Sequence, residues 1–102
     1  MLTIFTHSMD KKTEEFYARL KEELNESSQW PIEYLYKFIV PTSAENIFYV
    51  ENSFNDMGAV IETTPSKTGK YTAISINVRM KSADNIIEKY IEVSKVEGII
   101  SL

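Results

Sequence analysis

Apolar and polar residues alternate strictly through Thr72-Ala73-Ile74-Ser75-Ile76-Asn77-Val78-Arg79-Met80, and a period of two is the mark of a half-buried strand. Ile74, Ile76, Val78 and Met80 form its only continuous apolar row, so Ala73, Ser75, Asn77 and Arg79 point the other way. The preceding Pro65-Ser66-Lys67-Thr68-Gly69-Lys70 is a turn that returns the chain antiparallel from a short strand over Ala59–Thr64 into a long one from Lys70 to Met80. An earlier strand, Glu33–Val40, is rich in aromatic and β-branched residues. Tyr34, Tyr36, Phe38 and Val40 share one of its faces; Leu35, Lys37 and Ile39 share the other.

Helical spacing occupies the remaining segments. Phe16, Leu20 and Leu24 recur at i, i+4 and i+8 with Tyr17 beside them, which predicts an amphipathic helix from about Asp10 to Asn25. Trp30-Pro31 closes any helix there. Thr42-Ser43-Ala44-Glu45 has capping-box spacing. The helix it opens is expected to bury Ile47, Val50, Phe54 and Ala44 and to stop at Gly58. Ser82 caps a last helix burying Ala83, Ile86, Ile87, Tyr90 and Ile91, and Gly98 leads into a final strand, Ile99–Leu102.

The order is a helix followed by βαββαβ. This predicts an α+β, ferredoxin-like sandwich: a four-stranded antiparallel sheet in the order 4-1-3-2, two helices on one face, and the extra N-terminal helix. The expected organisation is a flexible leader over 1–9, the helix and linker over 10–29, and the ferredoxin-like domain over 30–102. With the Tyr36 and Ile76 rows turned inward, Lys37, Asn77, Arg79 and Tyr71 lie on the open sheet face between Leu35 and Ile39. A face mixing apolar and cationic groups calls for a cover. The stripe of Phe16, Tyr17, Leu20 and Leu24 needs a home as well, and the expectation is that this helix packs back over that open face.

Composition narrows the function classes. With 102 residues, 43% hydrophobic and 25% charged, the chain is an ordinary globular domain. A net charge of −4 argues against a general nucleic-acid binder. The absence of cysteine excludes disulfides, thiolate metal sites and iron–sulfur clusters. No apolar run reaches the roughly 18 residues of a membrane helix, and Met1–Ser8 lacks the basic and apolar regions of a signal peptide. A cytoplasmic protein without cofactor, metal or membrane contact is the expectation.

Candidate chemistry is sparse. Thr68-Gly69-Lys70 matches only the tail of a phosphate-binding loop. Thr64 stands where the first glycine belongs, Tyr71 where Ser or Thr belongs, and the turn joins two strands rather than a strand and a helix. Gly69 is explained by the positive φ of a hairpin turn, and Lys67 and Lys70 form at most a weak anion site. His7, the lone histidine, has no organised acid beside it. Ser27, Ser43, Ser66, Ser75 and Ser82 are accounted for by caps, turns and a polar strand face. The acylphosphatases share this topology, but no arginine-bearing glycine loop follows the first strand. RNA-recognition motifs share it too, yet most first-strand aromatics are assigned to the core.

Tyr36-Lys37-Phe38, the Ser66-Lys67-Thr68-Gly69-Lys70-Tyr71-Thr72 turn, the alternation to Val78, the segment Ile87–Tyr90 and the ending Val96-Glu97-Gly98-Ile99 resemble the YbeD-like family of small bacterial proteins of unknown function. The resemblance implies a ferredoxin-like domain related in shape to ACT regulatory domains, with a link to lipoate metabolism suggested by gene neighbourhood. The family offers no agreed catalytic residues to carry over, and the helix from Asp10 to Asn25 extends beyond its shortest members.

The functional expectation is a non-enzymatic regulatory or adaptor domain binding a protein partner, or a second copy of itself, through the open sheet face. Lys37, Asn77 and Arg79 would orient the partner, while Tyr71, Leu35 and Ile39 supply contact area. The alternative is an ACT-like sensor of a small anionic metabolite, bound at a dimer interface or near Lys67 and Lys70.

Overall fold

Sheet pairing is dominated by the two strands with the clearest alternation. In the computed structural model, which describes residues 11–27 and 29–102, β1 (Ile32–Pro41) pairs antiparallel with β3 (Tyr71–Met80) along its whole length, from Ile32 against Met80 to Pro41 against Tyr71. β2 (Val60–Pro65) pairs with β3 on the far side, and the short β4 (Ile100–Ser101) pairs with β1. The four-stranded sheet therefore runs β2-β3-β1-β4, the expected order read from the opposite edge, with β1 and β3 central. Among the described residues the helices are α1 (Lys11–Ser27), α2 (Ala44–Ser53) and α3 (Ala83–Val93). The expectations for the leader, including His7, fall outside the described residues.

The inner face carries the residues the alternation assigned to it. Tyr36, Phe38 and Val40 from β1 and Ile74, Ile76, Val78 and Met80 from β3 are buried, and they meet Val50 from α2, Phe54 just beyond its end, and Ile86, Tyr90 and Val93 from α3. Tyr36 anchors this layer. Its ring lies 4.9 Å from those of both Phe54 and Tyr90, and its hydroxyl donates to the Ile86 carbonyl at 3.1 Å. Aromatic packing of this kind adds to plain area burial.

The first helix departs from expectation. It does not cover the open face. Tyr17, 5% exposed, stacks on Tyr90 of α3 at 6.5 Å, Phe16, Leu20 and Leu24 pack against the same core, and Lys21 pairs with Asp84 of α3 at 2.7 Å. Tyr90 itself packs on Tyr34, Tyr36 and Phe38 of the inner sheet row. α1 thus extends the helical layer beside α3, because the apolar stripe finds its aromatic partners there.

The capping and end of α2 also differ from the reading. Ser43, not Thr42, is the N-cap, accepting from the Asn46 amide at 3.0 Å. The Thr42 hydroxyl is engaged with that of Thr72 at 2.8 Å, and the Asn46 side chain donates to the Pro41 carbonyl at 2.8 Å. Val50 and Phe54 are buried and Ile47 half-buried as expected, while Ala44, in the first turn, is exposed. The helix stops at Ser53, five residues before Gly58, and the chain then turns through Asp56 and Gly58, both at positive φ. Lys89 supplies the reason. Its Nζ donates to the Ser53 carbonyl at 2.6 Å, so the helix end is satisfied by a cation from α3 rather than by another turn.

Candidate functional site

Hairpin geometry sets the edge of the open face. Gly69 at φ 77° lets the turn close, with the Gly69 amide donating to the Ser66 carbonyl at 3.0 Å and the Ser66 amide to the Tyr71 carbonyl at 2.8 Å. The register that follows arranges the outward residues in rows across β2, β3 and β1. Val60, Asn77 and Leu35 form one row; Glu62, Ser75 and Lys37 the next; Thr64, Ala73 and Ile39 a third, which Ile100 of β4 continues. Glu33 and Arg79 stand opposite each other at one end, Nη1 and Oε1 4.0 Å apart. Tyr71 faces Pro41 at the other.

No described element covers this surface. Leu35 is 51% exposed, Val60 63% and Tyr71 48%. Lys37 lies in an apolar frame: Leu35 and Ile39 flank it on its own strand, and the Leu102 amide donates to its carbonyl at 2.9 Å, bringing the exposed Leu102 alongside. The structure therefore brings Lys37, Asn77 and Arg79 onto one face together with Leu35 and Ile39. Sequence reasoning missed Glu62 and Val60, although the signal was available: a hairpin fixes which residues of β2 share a face with Ser75 and Asn77.

Lys67 and Lys70 do not join this group. They are exposed at the hairpin tip, and Lys70 is separated from Ser75, the cross-strand neighbour of Lys37, by roughly 16 Å of strand. A shallow depression at that end is lined by Ile39, Thr64, Pro65, Ser66, Tyr71 and Ala73. Its walls are largely apolar and include neither lysine.

Titratable groups in the core are structural. Burial pushes the Tyr17 phenol up to about 12 and raises those of Tyr34, Tyr36 and Tyr90 as well. All four therefore stay neutral near pH 7, Tyr34 and Tyr90 sharing a 2.7 Å hydroxyl contact. Among the described residues there is no cluster of three or more metal-ligating side chains, and no helix is long and apolar enough to cross a membrane. One other apolar group stands out: Phe48, on the outer side of α2, is 67% exposed.

A family model described as a protein of unknown function, DUF493, matches residues 25–102. The chain belongs to this family. No curated protein and no solved structure matches it. The DUF493 match takes in the whole sheet with α2 and α3, and so every row of the open face, and it begins near the end of α1.

Proposed function

We propose that this DUF493 chain is a non-enzymatic regulatory or adaptor module that binds a protein through its open sheet face. The observation that carries the reading is the exposure of Leu35, Val60 and Tyr71 on one continuous surface while α1 is spent on the helical layer. Aromatic and aliphatic contact area framed by a few charges is the usual anatomy of a recognition surface. Leu35, Ile39 and Tyr71 provide the contact area; Lys37, Asn77 and Arg79 set orientation. The βαββαβ order and the residues shared with the YbeD-like family support a ferredoxin-like module of bacterial, cytoplasmic type.

An ACT-like sensor of a small anion is less well supported, since Lys67 and Lys70 do not line the depression beside them. The test is affinity co-purification of the tagged full chain from host lysate, native against a folded variant carrying Lys37→Glu and Arg79→Glu. A protein enriched by the native chain and lost from the variant is expected. Identical protein sets from both chains would contradict the reading.

A further inference from the structure

The open face is self-complementary about its own middle strand, and we infer that its occupant is a second copy of this chain, seated face to face about a two-fold axis running along β3. The inference rests on the open-face reading above and names the partner. β1 and β2 flank β3 in matched register: Leu35 and Val60 both pair with Asn77, Lys37 and Glu62 with Ser75, and Ile39 and Thr64 with Ala73. A half-turn about β3 therefore carries β1 of one copy over β2 of the other with no shift along the strand. Leu35 then meets Val60 of the second copy, Lys37 meets Glu62, and Ile39 meets the Thr64 methyl. Each contact occurs twice, as an isologous interface requires.

Charge selects this occupant. Lys37 and Glu62 are both exposed, and among the described residues neither has an ion-pair partner in its own chain. Their strands lie roughly 10 Å apart with Ser75 between them, and no ion pair joins the two within one sheet. Across the interface opposite charges fall in line twice, and any shift of register would set a charge on an apolar row. At the middle of the axis stand Ser75 and Ala73, small enough for two sheets to approach to the roughly 10 Å of aligned packing, with Tyr71 beyond them at the hairpin end. The Asn77 amides meet there and can exchange hydrogen bonds, while each Arg79 keeps its own Glu33 at 4.0 Å against the like charge opposite. The overlap is three strands wide, with β3 of 10 residues at its centre and β2 of 6 residues at its edge, which is smaller than the about 800 Å² per partner of a standard interface and fits a modest affinity.

Analytical ultracentrifugation of the full chain tests this, with Lys37→Glu and Glu62→Lys variants measured alone and as an equimolar mixture. The native chain is expected to dimerise. Each single variant faces like charge twice and should dissociate at least about tenfold more readily. The mixture should recover near-native affinity, because every cross-interface pair is again of opposite sign in the heterodimer. Recovery also proves that both variants are folded.

A native chain that stays monomeric at roughly 100 μM, well above the micromolar constants of modest interfaces, would overturn the second-copy assignment. The lysate test would remain free to succeed, so the two readings fail separately. A native dimer indifferent to both substitutions, or a mixture that does not recover, would likewise overturn it.

Discussion

The hydroxyls of Tyr34 on β1 and Tyr90 on α3 meet at 2.7 Å, tying the central sheet to the helical layer in the midst of four aromatic contacts made by Tyr90. Removing either hydroxyl deprives the other of this partner in a poorly solvated site, whereas removing both leaves neither hydroxyl behind. Tyr34→Phe and Tyr90→Phe should each cost about 1–2 kcal/mol, and the double variant clearly less than their sum. Urea unfolding of the four chains of this cycle measures the coupling; strict additivity would show that the contact contributes nothing.

Alkaline pH should unfold the protein through its buried phenols. Their folded pKa values are raised, to about 12 for Tyr17 and upward for Tyr34, Tyr36 and Tyr90, against about 10 in an unfolded chain. The neutral phenol is thus favoured by folding. The stabilisation is fully present below pH 10 and is lost as pH rises from about 10 toward 12. Thermal melts at stepped pH, followed together with phenolate absorbance, should show the buried tyrosines ionising only as the fold is lost. Complete ionisation near pH 10.5 in a folded chain would contradict this.

Lys89 holds the end of α2 against α3. Its ammonium takes the Ser53 carbonyl at 2.6 Å and lies 5.8 Å from the Phe54 ring centroid. Lys89→Met keeps the aliphatic stem but leaves the helix end without its cation, and should cost about 1.5–2 kcal/mol in chemical denaturation. Glu92→Gln removes only the looser 3.4 Å pair and should change stability by less than about 0.5 kcal/mol.

Gly98 joins the segment after α3 to β4 at φ 82°, and a Cβ there would sit 2.9 Å from Pro41 Cγ. Both the backbone conformation and the contact oppose a side chain. Gly98→Ala should lower stability by about 1–3 kcal/mol, read from the midpoint of thermal unfolding. Gly69→Ala, strained in φ but with open space around its Cβ, should cost less.

Much of this architecture was legible in the sequence, and the misses share a cause. The period-two rows from Tyr34 to Val40 and from Thr72 to Met80 specify strands and faces unambiguously, because a one-residue slip would expose the whole apolar row. The open-face positions of Lys37, Asn77, Arg79 and Tyr71 follow from the same parity. The placement of α1 did not, because a stripe such as Phe16, Leu20 and Leu24 records that a helix face is buried but not against what. The end of α2 was misread for a similar reason: Lys89, 36 residues beyond Ser53, terminates a helix whose own sequence points to Gly58. Glu62 was legible and overlooked, since the hairpin register alone places it beside Ser75.

The central claim is that the open sheet face, not the helical face, is the recognition surface. In-cell photo-crosslinking tests it most directly, with a benzophenone amino acid replacing Leu35 on the open face or Phe48 on α2. Both sites are exposed, so either probe is tolerated. A discrete crosslinked species from the Leu35 position and none from Phe48 is the predicted result, its mass distinguishing a second copy from another protein. A product from the Phe48 position with Leu35 silent would contradict the account.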